Sequence, residues 1–167
     1  MPLMPKDRYK KIMAPYMKKV GKFGLDMMFR TCTIQVNLDY SSEDDMAKKV
    51  KVGFLLQPLA TALFASSPFF ENRDTGYESW RANIWKDTDV ARTGIPKFIF
   101  EKGLCFSDWV EFALDVPMYF IKRDEKYVNL AGESFRDFLS GNLKSMPGEK
   151  PFYSDWINHL TTIFTDV

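Results

Sequence analysis

Arg30-Thr31-Cys32-Thr33-Ile34-Gln35-Val36-Asn37-Leu38 decides how the rest of the chain is read. It is dense in β-branched and apolar residues, a strand signal. Successive side chains of a strand point to opposite faces. Thr31, Thr33, Gln35 and Asn37 therefore share one face, and Cys32, Ile34, Val36 and Leu38 the other. Hydroxyls and amides cost free energy when buried without partners. Two readings follow. Either the polar face lines a cleft where a ligand or metal satisfies it, or it lies in water, as one face of an antiparallel sheet often does. The amide oxygens of Gln35 and Asn37 are hard donors of the kind Mg²⁺ accepts.

Toward the N-terminus, residues 5–18 predict a short basic helix that Pro15 ends or kinks, and Gly21 and Gly24 mark a turn. Toward the C-terminus, Ser41 and Ser42 followed by Glu43, Asp44 and Asp45 predict a helix start. That helix runs to about Ala65, bends near Gly53 and Pro58, and is so apolar after Phe54 that it predicts burial. Residues 66–76 read as a polar loop, 78–85 as a short helix or ordered loop, and 95–100 as a strand. Ser107 starts a helix to about Leu114, and residues 117–122 and 126–130 form two strands around the charged turn 123–125. Ser134–Leu139 is a helix that Gly141 can close, and Ser154 caps a last helix to about Phe164. The expected class is α+β, helices packed on mostly antiparallel strands. There is no repeat, low-complexity tract or linker. Residues 1–167 thus read as one unit, a single partial domain whose two ends both look cut.

The composition agrees with a folded domain. The chain has 167 residues, 46% apolar and 27% charged, which excludes disorder. Lys plus Arg is 23 against 22 Asp plus Glu, so no net field recruits nucleic acid. No apolar run approaches the roughly 18 residues of a membrane helix. Residues 1–11 resemble neither a secretory nor a transit peptide, so a cytosolic, cytoplasmic location is expected. Aromatics reach 16%, with 15 Phe. Some of those rings should line a pocket or meet other protein, unless the core is simply rich in Phe.

Two further stretches carry candidate chemistry. In Ser79–Thr93, Trp80 and Trp85 frame Arg81, with Asp87, Asp89 and Arg92 beyond. A held guanidinium can present its planar fork to a carboxylate or phosphate. Asp87 and Asp89 could touch a cation, or the stretch could be a salt-bridged surface loop. In Asp115–Phe120, Tyr119 could stand at a pocket wall with its hydroxyl free, or be half-buried structure. Phosphate-binding loops, dinucleotide fingerprints and nucleophile elbows are all absent from the sequence. The single histidine, His159, reads as structural, and Cys32 and Cys105 as inert buried thiols.

Gly24-Leu25-Asp26-Met27-Met28-Phe29-Arg30-Thr31-Cys32-Thr33-Ile34-Gln35-Val36-Asn37-Leu38-Asp39-Tyr40 closely resembles a stretch of glutamate–cysteine ligases of the type shared by plants and proteobacteria. Collinear matches follow at Ala60–Ala65, Ser67–Phe69, Ile84–Gly94, Ala113–Phe120, Ser134–Leu139 and Asp155–Phe164, so the resemblance spans nearly the whole chain. It implies an ATP-dependent ligase that joins the γ-carboxylate of glutamate to the amine of cysteine through a γ-glutamyl phosphate, the first step of glutathione synthesis. It also implies a fold similar to the glutamine synthetase catalytic domain, with ATP and Mg²⁺ as cofactors. Glutamate, cysteine and ATP are the implied partners, and the full-length state is monomer or homodimer. By the same resemblance, Arg81 and Arg8 hold substrate carboxylate. Gln35 faces the metal–substrate centre as a metal ligand, with Thr33 and Asn37 on its face. Tyr119 and Trp85 line the amino-acid pocket. The chain departs from the family at Asn83, where a histidine is usual, and in length, since family members are more than twice as long. Much of the Mg²⁺-binding carboxylate cluster is expected N-terminal to the region covered here, so the isolated chain is expected to be inactive. Two alternatives stay open: a paralogue joining glutamate to another amine, and a non-catalytic remnant that binds an amino acid or another protein.

Overall fold

The computed structural model describes residues 5–101 and 103–166. A π-helical stretch, Arg8–Met13, runs directly into α1 (Ala14–Val20). Pro15 falls in the first turn of α1, where its missing N–H costs nothing, so the helix continues rather than stopping. Gly21 then presses against the chain further on: a Cβ there would lie 2.1 Å from the Thr88 carbonyl oxygen. Gly24 does not extend a turn but opens α2 (Gly24–Arg30).

The stretch expected to be a strand, residues 30–38, is not one. From Thr31 to Tyr40 the backbone makes no helix and no ladder. Ile34 is 94% exposed, Val36 77% and Leu38 69%. A strand needs a neighbour to pair with, and none lies beside it among the described residues. Cys32, expected buried on this face, is likewise exposed.

Helix α3 (Glu43–Leu63) starts as its sequence predicts, with the Ser42 hydroxyl accepting from Asp45 N at 3.1 Å. It carries Pro58 in its interior. Its second half is not buried, however: Leu55, Leu56, Leu59 and Leu63 all stand in solvent. Only Met46 and Phe54 are buried along it.

The polar loop 66–76 contains a short hairpin, β1 (Phe69–Phe70) and β2 (Arg73–Asp74). Helix α4 (Trp80–Trp85) follows, capped by Ser79. Residues 95–100 are not a strand: Pro96 leads into a 3₁₀ turn, Lys97–Phe100, which drops Ile99 onto Phe54 and Leu104. A six-residue apolar run fits either structure, and burial of one side chain against α3 decides it.

Helix α5 (Phe106–Asp115) leads to the hairpin β3 (Phe120–Arg123) and β4 (Lys126–Asn129). Strand pairing among the described residues is mainly in these two antiparallel hairpins. Both close through two residues of positive φ, Glu71 and Asn72 (50° and 63°) and Asp124 and Glu125 (45° and 63°). That is the turn geometry whose twist matches the flanking strands.

Helix α6 (Phe135–Ser140) is capped by Ser134 and, as expected, closed by Gly141 at φ 77°. The last helix, α7 (Tyr153–Leu160), is shorter than expected. Asp155, rather than Ser154, reaches back to the Phe152 N–H at 2.8 Å. Asp155 also takes the Arg123 guanidinium in two bonds of 2.9 Å each, tying α7 to β3. Around this pair lies the main core, Leu114, Met118, Ile121, Leu130, Phe135, Phe138 and Leu143. The fold is thus mixed helix and strand, with its core in the C-terminal half and a looser N-terminal half.

Candidate functional site

A groove of about 1500 Å³ opens between the C-terminal half of α3, the extended segment Thr31–Ile34, the β1–β2 hairpin and α4. Its architecture rests on one residue. Ser67 pairs with Ser79 in a parallel bridge, donating to Glu78 O (3.1 Å) and accepting from Trp80 N (2.8 Å). Its hydroxyl accepts from Arg81 N at 3.1 Å. The start of α4 is thereby fixed, and Arg81 projects toward the extended segment.

Arg81 Nε donates to the Cys32 carbonyl at 2.9 Å. Its guanidinium sits 5.6 Å from the centroid of the Trp85 ring, within cation–π range. No carboxylate pairs with Arg81 among the described residues, so the remaining N–H groups of the fork are available to an anion. Trp85 is itself held edge-on by Phe164 at 5.8 Å, and its indole N–H is buried without a partner. At the groove rim Arg30 is already neutralised, by Glu71 at 2.8 Å and Asp26 at 3.3 Å.

Of the residues the sequence singled out, Arg81, Trp85 and Thr33 thus meet in one groove. Gln35 and Asn37 bond to each other instead, Nε2 to Oδ1 at 3.1 Å, both exposed and outside the groove lining. Arg8 sits in the first helical stretch over the Tyr9 ring, away from the groove lining. Tyr119 is no pocket wall here. It is 1% exposed, its hydroxyl donates to the Met17 sulfur at 3.2 Å, and burial pushes that hydroxyl's pKa up.

Asp89 and Arg92 do not reach the groove either. Arg92 is fully buried and bonds Asp89 at 2.7 Å, Thr162 Oγ1 at 3.2 Å and the carbonyls of Thr162 and Pro117. Its guanidinium lies 3.9 Å from the Tyr119 ring centroid and 5.7 Å from that of Tyr16. This is a structural clamp joining α1, the β3 approach and the end of α7. Ser67 stands in one of the stretches that carry the family resemblance, but no local signal marks its role, because its partners lie at Glu78, Trp80 and Arg81.

Mg²⁺ prefers several oxygens, carboxylates foremost. No group of three or more acidic, cysteine or histidine side chains converges among the described residues. Within the groove, Asp166 is already engaged by Gly94 N at 3.1 Å. Gln35 and Asn37 lie outside the groove, whose lining carboxylates among the described residues are Glu78 and Asp166 alone. These residues do not form a magnesium site.

The model of Glutamate-cysteine ligase family 2 matches residues 1–167. The chain belongs to this family. Relatives named chloroplastic glutamate–cysteine ligase are 58% identical in Medicago truncatula and 57% identical in Arabidopsis thaliana, each over 99% of this chain. Glutamate–cysteine ligase B of Oryza sativa subsp. japonica, also chloroplastic, is 57% identical over the same share. The chain spans about a third of the length of these relatives, 32% to 33%. Their chloroplastic names overturn the cytosolic expectation. In a chain that covers a third of such ligases, the residues at positions 1–11 carry no information on compartment.

Proposed function

We propose that this chain is the amino-acid-binding part of an ATP-dependent glutamate–cysteine ligase, working in the plastid as the relatives' names indicate. The observation that carries the reading is Arg81. It is held by a backbone bond and an indole, aimed into a large groove, and left without a carboxylate of its own. A guanidinium so placed receives a carboxylate in two parallel bonds.

In the reaction, a γ-carboxylate oxygen of glutamate attacks the terminal phosphorus of ATP and ADP leaves. The cysteine amine then attacks the acyl carbon, releasing phosphate and, after loss of a proton, γ-glutamylcysteine. Such chemistry needs positioning and charge neutralisation more than a protein nucleophile. Arg81 would hold an amino-acid carboxylate, Trp85 would stiffen the guanidinium plane, and Thr33 would offer a hydroxyl at the groove wall. We place Gln35 and Asn37 at the same centre only when the segment 31–40 is drawn into a sheet like that of the glutamine synthetase catalytic domain. Because these residues form no magnesium site, the 167-residue chain alone should not turn over ATP.

The test is phosphate release by the intact gene product with glutamate, with and without cysteine. Release requiring both amino acids supports the ligase, and release indifferent to cysteine points to another acceptor. Arg81→Lys should lower kcat/KM by about 10- to 100-fold, the worth of one charged hydrogen bond. An unchanged value would remove Arg81 from the site.

A further inference from the structure

Helix α4 is six residues long, too short to hold its own shape by backbone bonds alone. Arg81 and Trp85 are neighbours on it by helical spacing, and the guanidinium lies over the indole. The indole is the less anchored of the two. Its buried N–H has no acceptor among the described residues, so no hydrogen bond fixes the ring. Among the described residues, Phe164 is the aromatic ring that meets it, at 86° and 5.8 Å between centroids. That is a favourable T-shaped arrangement.

Phe164 is itself held by backbone rather than by packing in a core, for it belongs to neither buried cluster. Its N–H donates to the Arg92 carbonyl at 3.2 Å, and Asp166 N donates to the Gly94 carbonyl at 3.1 Å. Gly94 N donates in return to Asp166 Oδ1 at 3.1 Å. The buried Arg92 side chain also donates to the Thr162 carbonyl at 3.1 Å. Residues 162–166 are thus strapped along 92–94 just after α7. Thr165 and Asp166 of the strap line the groove, but Phe164 does not. It reaches a ligand in the groove through Trp85, not by contact.

We propose that Phe164 is a positioning residue for the carboxylate site: its ring fixes the Trp85 indole, and the indole fixes the plane of the Arg81 fork. A bidentate carboxylate pair depends on that plane. The inference rests on the reading of Arg81 as the holder of an amino-acid carboxylate.

The test is steady-state kinetics of the intact gene product, varying glutamate, cysteine and ATP in turn. The variants are Phe164→Leu, Phe164→Tyr, Arg81→Lys, and Phe164→Leu combined with Arg81→Lys. Phe164→Leu should raise KM about 3- to 10-fold, the worth of one edge-on ring pair. The rise should fall on the same amino acid whose KM rises in Arg81→Lys, with kcat and the KM for ATP changed by less than about twofold. Phe164→Tyr keeps the ring and should stay within about twofold of the parent. In the Arg81→Lys background, Phe164→Leu should add less than about twofold, because the fork it positions is gone. Damage to the fold at large would instead lower kcat, touch every substrate and add in full. Phe164→Met, which keeps more of the ring's volume, gives the same readout should Phe164→Leu fail to fold. An unchanged KM, a loss shared by all substrates, full additivity, or a tyrosine variant as impaired as the leucine one would each overturn the inference. If Arg81→Lys leaves every KM unchanged, the carboxylate site is refuted and the positioning role with it. A loss in Arg81→Lys that Phe164→Leu does not share refutes the positioning role alone.

Discussion

Replacing Arg92 with Met should destabilise the chain by roughly 3–5 kcal/mol, the cost of leaving a buried carboxylate without its partner. The figure follows from the surroundings. Arg92 and Asp89 are 0% and 2% exposed. The Asp89 oxygen at 2.7 Å would lose its cation, and the carbonyls of Pro117 and Thr162 would lose a donor. With a urea slope of about 2 kcal/mol/M, the unfolding midpoint should fall by about 2 M. A large share of a typical domain's margin of about 5–15 kcal/mol is then at risk, so expression at low temperature is advisable. The double variant, Asp89→Leu with Arg92→Met, should recover part of the loss, because no charge is then stranded. Equilibrium urea unfolding followed by tryptophan fluorescence reads both. A midpoint shift below about 0.5 M for Arg92→Met would refute the reasoning, and so would a double variant worse than the two losses added.

Gly21→Ala should destabilise by about 1–3 kcal/mol, since its Cβ would meet the Thr88 carbonyl oxygen at 2.1 Å. Thermal melting checks it, and an unchanged Tm would show that the two segments separate freely. Glu125→Gly should stabilise by about 0.5–1 kcal/mol, because Glu125 sits at φ 63° and glycine carries no left-handed penalty there. A loss of stability would mean that its ion pair with Lys122 outweighs the turn. Burial holds the His159 pKa below its usual value, with Arg92 adding to the effect and the Ala113 carbonyl at 2.8 Å opposing it. Below about pH 6.5 the unfolded chain gains a proton that the folded chain refuses. Stability from this group should therefore be complete above that pH and decline as pH falls beneath it. The urea midpoint should drop more between pH 7.5 and 5.5 in the parent than in His159→Leu, and parallel drops would exclude His159.

What the sequence reveals here is what is local. The β3–β4 hairpin, the Ser42 cap and the Gly141 stop each depend on neighbours a few residues away, and each forms where expected or close by. Arg81 and Trp85 are legible for the same reason, being one helical turn apart. Thr31–Leu38 reads as a strand but cannot be one without a partner strand, which is information held elsewhere. The stretch around Arg92 reads as a salt-bridged loop, or Asp87 and Asp89 as a cation contact, because the partners that bury Arg92, Pro117 and Thr162, lie 25 and 70 residues away. For Tyr119 the sequence leaves pocket wall and half-buried structure both open for a like reason: the methionine that takes its hydroxyl is 102 residues distant.

Helix α3 has one further consequence. Gln57 and Thr61 stand in the groove, while Leu56 and Leu59 stand on the reverse side of the same two turns. Pro58 sits between them and removes a helical hydrogen bond there, so the stretch of α3 that walls the groove is also the stretch where its backbone is least tied.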